Sequence, residues 1–162
     1  MAESGIFSVL RQDHERHRDL LDKLEDTSGD SEERRALFET FRVDMAAHAA
    51  AEEMSLYATM LADPDLRDDA QHSVSEHKEL EDIVTELFEM DFSSSGWLTR
   101  FRTLKHDYLH HIDEEEQEMF PAAERGLDEG RKKELKAIFA KHKPAERQKA
   151  KDNPPDSSEA RE

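Results

Sequence analysis

Apolar positions recur every three or four residues through four long stretches of this chain, a spacing that lines up one face of an α-helix. Residues 4–26 carry Phe7, Leu10, His14, His17, Leu21 and Leu24 on such a stripe. Residues 32–61 carry Phe38, Phe41, Met45, His48, Glu52, Leu56 and Thr59. Residues 64–90 read Ala70, Val74, His77, Glu81, Val84 and Phe88, and residues 97–125 read Trp97, Phe101, Leu104, Tyr108, His111, Glu115 and Met119. Helix-breaking residues fall between the stretches: Thr27-Ser28-Gly29-Asp30-Ser31, Asp63-Pro64 and Ser93-Ser94-Ser95-Gly96. Ser31 is placed to cap the helix that Glu32 and Glu33 open.

Four long amphipathic segments with short connections predict an all-α fold, an antiparallel up-down-up-down four-helix bundle over residues 1–125. Leu135, Ile138 and Phe139 give residues 127–142 a shorter stripe. It predicts a fifth helix, within an additional unit of residues 126–143, that packs outside the bundle or caps one end. Beyond Pro144 the sequence is polar and contains a Pro-Pro pair, which predicts a disordered, flexible tail over residues 144–162.

Composition agrees and narrows the function. The 162 residues are 35% hydrophobic and 39% charged, as suits helices with heavily charged outer faces. The net charge of -17 excludes nucleic acid and anionic membrane surfaces as partners, because both would repel the chain. There is no cysteine, and so no disulfide, thiolate ligand or thiol nucleophile. With no apolar run of membrane-spanning length and no leader pattern, the expected location is cytoplasmic.

The stripes themselves carry the chemistry. Three times a histidine is followed four residues later by a glutamate on the apolar side of a segment: His48/Glu52, His77/Glu81 and His111/Glu115. His14 holds the matching position in the first segment. Residues four apart are neighbours on a helix face, so each pair can bind a common centre. His14, His48, His77 and His111 all lie near mid-segment, where antiparallel helices bring them into one layer. Buried without partners, these ionisable groups would cost several kcal/mol each. Seven imidazole and carboxylate donors are too many for one small cation and suit two first-row transition ions, iron or manganese.

His17 shares the stripe of His14, either as a further nitrogen ligand or as a partner that orients one. Tyr108, one turn before His111, either bonds near the metals or is a core tyrosine. His72, His106 and His110 fall off the stripes and read as solvated, as do most of Glu53, Asp113, Glu114, Glu116 and Glu118.

Taken together, Asp13-His14, His48-Ala49-Ala50-Ala51-Glu52-Glu53, His77 and the run from His111 to Pro121 resemble the hemerythrin-like, or HHE cation-binding, domain over residues 6–123. The resemblance implies a non-haem di-iron centre with an oxo or hydroxo bridge and two bridging carboxylates. It implies terminal His14, His48, His77 and His111, with Glu52 and Glu115 bridging; manganese or a mixed pair is the other option. One position departs from the oxygen-carrying hemerythrins, whose third helix supplies a second histidine where Glu81 stands here. Glu81 as a ligand would favour the ferric state and redox or peroxide chemistry over reversible oxygen carriage; otherwise it pairs elsewhere and leaves an open position. The expected function is binding of, or reaction with, O2, H2O2 or NO, catalase-like turnover included. The alternative is an iron or cation store or sensor without turnover.

Overall fold

The computed structural model describes residues 5–155, which are helical without strands. The first rod is α1 (Ile6–Glu25) and the second begins with α2 (Glu32–Glu52), passes through a π-helical turn at Glu53–Tyr57 and ends in α3 (Ala58–Leu61). The third is α4 (Arg67–Glu89). The fourth is α5 (Ser95–Glu114), a second π-helical turn at Glu115–Met119 and α6 (Phe120–Gly126). The chain closes with α7 (Glu129–Asp152). Helix starts follow local chemistry: Ser31, Ser94 and Asp128 accept from the backbone N–H groups of Arg34, Trp97 and Arg131.

Contacts pair the rods in opposite order, as an antiparallel bundle requires. Asp13 meets His48 while Thr27 meets Arg34, and His72 meets Glu114 while Glu86 meets Arg100. The apolar interior is split in two. One cluster holds Leu21, Phe38, Phe41, Leu87, Trp97 and Phe101; the other holds Phe7, Leu10, Leu56, Phe120, Leu135 and Phe139. Between them lies the buried layer of histidines and carboxylates.

α7 departs from expectation. In place of a short helix followed by a flexible tail from residue 144, it continues through Pro144 to Asp152. A proline there cannot donate to the Ala140 carbonyl, a loss of about 3 kcal/mol in a helix interior. Docking offsets that cost. α7 packs chiefly along α2 and also on α1, with Lys143 and Arg147 reaching buried Asp13 and Asp44, and Arg42 donating to the Ala150 carbonyl at 3.0 Å. At its other end Gly5, with φ of 65°, precedes α1 where a Cβ would lie 2.9 Å from the Lys132 backbone. Residues 1–4 and 156–162, and with them the first residue of the expected first segment and the end of the expected tail, lie outside the described residues. Among the described residues no helix is long and apolar enough to cross a membrane.

Candidate metal centre

Six of the seven expected ligands converge in the buried layer. His14 and Glu52 are 0% exposed, and His48, His77, His111 and Glu115 are also buried. Nε2 of His77 lies 3.1 Å from Nε2 of His111, which lies 2.6 Å from Oε1 of Glu115. Oε1 of Glu52 lies 3.5 Å from Nε2 of both His48 and His77.

Each of these imidazoles is aimed by its other nitrogen. Nδ1–H of His14 donates to Glu116 at 2.6 Å, that of His48 to Asp13 at 2.8 Å, that of His77 to Glu53 at 3.1 Å and that of His111 to Glu76 at 2.9 Å. A carboxylate on Nδ1 fixes the tautomer and turns the Nε2 lone pair inward, the arrangement found behind metal-bound histidines. Rings fix the remaining freedom: Phe120 stacks on His14, Tyr57 on His77, and Phe139 of α7 sits edge-on to His48.

The interior lacks partners for what it gathers. Nε2 of His14, Nε2 of His48, both oxygens of Glu52 and Oε2 of Glu115 are buried without hydrogen bonds. Each such group costs about 1–3 kcal/mol when left unsatisfied. The tension falls on the ionisable groups themselves. Burial and the neighbouring Glu115 hold the Glu52 carboxyl well above its usual range. Against the cost of burial, His111 keeps Glu115 well below it, and Glu115 in turn raises His111 to about 10. Burial pushes His14 and His77 down. Cations among the inward Nε2 atoms and carboxylates would satisfy all of these groups at once, and a set of imidazoles and two carboxylates suits first-row transition metals. The residues therefore fit bound metal; His77, His111 and Glu115 have their donor atoms within 4.8 Å of one another.

Both rods that carry a glutamate of the layer change their winding there. One π-helical turn starts immediately after Glu52 and the other at Glu115. The wider turn shifts the face that follows, a feature concentrated at functional sites. It brings Tyr57 into the layer, where its O–H donates to Oε1 of Glu115 at 2.8 Å.

α4 has no such turn, and its inward stripe is Ala70, Ser73, His77, Leu80, Val84 and Leu87. The expected stripe through Val74, Glu81 and Phe88 is rotated off that line. Glu81 is therefore exposed and is not brought to the other six; it borders a small cavity with His48, His77 and Tyr108.

His17 is also resolved. Its Nε2–H donates to Asp44 at 2.5 Å and its Nδ1 accepts from the Tyr108 O–H at 2.5 Å, so neither nitrogen is left for a metal. Burial pushes this ring down to about 4 and keeps it neutral. Of the two expectations for His17, its bonds match the partner and not the further ligand: Asp44 and Tyr108 hold it, with its ring edge-on to His48.

Sequence reasoning missed Tyr57, Glu76, Asp44 and the α7 cations, and placed Glu53 and Glu116 in a group of acids of which most read as solvated. Glu116 is held down at about 2 against burial by His14 and Arg18. Asp13 and Asp44, buried as they are, stay ionised well below the usual range through His48 and Lys143 in one case and His17 and Arg16 in the other. Asp13 beside His14 was the one visible signal.

Comparison with known proteins agrees with this fold. No curated protein matches the chain. Among solved structures, the crystal structure of a hemerythrin HHE cation binding domain-containing protein from Mycobacterium kansasii is similar, at 26% identity and a TM-score of 0.79 over 91% of this chain and 90% of that one. The model of the hemerythrin HHE cation binding domain matches residues 5–123, and the chain belongs to that family.

Proposed function

We propose that the protein is a non-haem di-iron protein that binds or reacts with O2, H2O2 or NO. The observation that carries this is the inward Nε2 of four imidazoles, each braced by a carboxylate, facing two buried carboxylates with unsatisfied oxygens. His14, His48, His77, His111, Glu52 and Glu115 are the residues that would hold the irons. When bound, the pair of irons supplies redox equivalents and open coordination positions for a small oxidant. The chain supplies the rest. Tyr57 offers an O–H proton at Glu115, and the two apolar clusters on either side keep bulk water away.

The size of the ligand follows from the openings. The cavities at His111 and Glu115 and at His48 and His77 offer about 20 and 10 Å³ to a water-sized molecule. That is room for about one water, and so for a diatomic or a peroxide, not an organic substrate.

Elemental analysis of natively purified protein should give two irons per chain. Anaerobic ferrous protein should then change its charge-transfer absorption on adding O2, H2O2 or NO. No metal, or no response to any of the three, would sink the proposal. A cation store or sensor is the second reading. It is favoured by α7, whose Lys143 and Phe139 contact Asp13 and His48 and so link occupancy of the centre to docking of a helix. Under it, His48→Ala lowers the melting temperature while no turnover is lost.

A further inference from the structure

Outside the buried layer, α4 and α5 each carry one more histidine–glutamate pair four residues apart: His72/Glu76 and His110/Glu114. The antiparallel pairing brings them face to face. His72 Nε2 lies 3.4 Å from Glu76 and 3.3 Å from Glu114, and His110 Nε2 lies 3.2 Å from the other Glu114 oxygen. The donor atoms of His72, Glu76 and Glu114 fall within 4.8 Å of one another. Two half-exposed imidazoles and two partly sheltered carboxylates make a donor set of the kind first-row divalent ions take.

Two further observations separate this cluster from an ordinary solvated acidic face. The cavity of about 20 Å³ that His72, Glu76 and Glu114 border is bordered on its inner side by His111 and Glu115. Glu115 is 1% exposed, and its Oε2 has no hydrogen-bond partner. In addition Glu76 is divided between the two groups. Its Oε1 accepts from His111 Nδ1–H at 2.9 Å, while its Oε2 faces His72.

We propose that His72, Glu76, His110 and Glu114 form an outer divalent-cation site through which metal is delivered past Glu115 to the buried donors. The outer donors are solvated and reach an ion without unfolding the bundle. The inner donors lie between two apolar clusters, and an ion reaches them only after shedding water. A partly exposed site holding carboxylates and imidazoles exchanges that water for protein ligands in steps. The net charge of -17 concentrates cations near the surface, and the cluster selects among them. The delivery step, unlike the outer site itself, rests on the inner centre proposed above.

The test uses the full chain as purified, titrated with Mn²⁺ while free Mn²⁺ is followed by electron paramagnetic resonance. The wild type should take up one further equivalent. A His72→Ala/Glu114→Gln double variant should need about tenfold or more Mn²⁺ for the same occupancy, with its inner metal content by elemental analysis and its helical circular dichroism unchanged. Chelator-stripped double variant should regain inner metal about tenfold more slowly than stripped wild type. Equal Mn²⁺ uptake by both proteins overturns the outer site, and equal reloading rates overturn delivery. If elemental analysis finds no inner metal and the further equivalent is still lost in the variant, the outer site stands and the buried centre falls.

Discussion

Lys143 Nζ lies 2.8 Å from Oδ2 of Asp13, the same oxygen that accepts from Nδ1–H of His48. The last helix therefore touches a proposed ligand through one intermediate. Arg147 repeats the arrangement at Asp44, which holds His17. Arg16 ties the two acids together, with 2.8 Å to Asp13 and 2.6 Å to Asp44. α7 thus closes a ring of charge around one side of the buried layer.

That ring gives a first prediction. Lys143→Met removes a charge from a buried carboxylate and should destabilise the fold by about 1–3 kcal/mol, read as a lower urea midpoint. Asp13→Asn removes the brace behind His48, and metal affinity should fall about 10–100-fold in a competition with a chelator. Unchanged affinity would mean that His48 does not ligate.

His17 and His14 lie one turn apart and should behave differently. His14→Ala should lower metal content, because it deletes an inward Nε2. His17→Ala should leave two metals per chain while costing about 2 kcal/mol or more of stability, because Tyr108 and Asp44 lose a buried partner. Elemental analysis beside thermal unfolding separates the two; metal loss in His17→Ala alone would reverse the assignment.

Most of the bundle was legible because the stripes of α1, α2 and α5 fall where spacing puts them, His14, His48 and His111 included. The errors have identifiable physical causes. On α4, Glu81 and Leu80 are adjacent, and spacing alone admitted the stripe that took the glutamate inward. Packing decided for Leu80, which is buried against the apolar cluster. Tyr57 was hidden because a π-helical turn breaks the period on which stripe reading depends. Pro144 read as a terminator because its compensation lies in contacts with Asp13 and Asp44, far away in sequence. The braces Glu53, Glu76 and Glu116 look like any other acid in a chain with 40 of them.

Tyr57 supplies a third prediction. Its O–H is held on Glu115 at 2.8 Å, and its phenol stays protonated because burial and the charges of Glu115 and Glu52 hold it well above its ordinary value. Tyr57→Phe keeps the ring on His77 and removes only the hydrogen bond. Helicity and metal content should persist, and the charge-transfer absorption of the oxidised centre should shift. If the spectrum and the rate of reaction with peroxide are both unaltered, Tyr57 is packing alone.

The pH dependence of metal-stripped protein is the fourth. Burial lowers His14, His17 and His77, so their folded forms stay neutral where the unfolded chain takes up protons. Stability should therefore fall as pH drops below about 6.5, the ordinary histidine value, and for His17 the loss continues to about 4. That one ring accounts for a loss on the order of 3 kcal/mol. Asp13, Asp44 and Glu116 are lowered carboxylates, whose contribution is complete above their ordinary values and is lost only as pH falls further, for Glu116 down to about 2. His111 has the opposite sign: raised to about 10, it favours the fold below the ordinary histidine value and withdraws that support as pH climbs toward 10. Urea midpoints should thus pass through a maximum near neutrality and decline on both sides. His17→Asn should flatten the acid limb between about pH 6.5 and 4. An acid limb that is unchanged in that variant would show that His17 is not held neutral by burial.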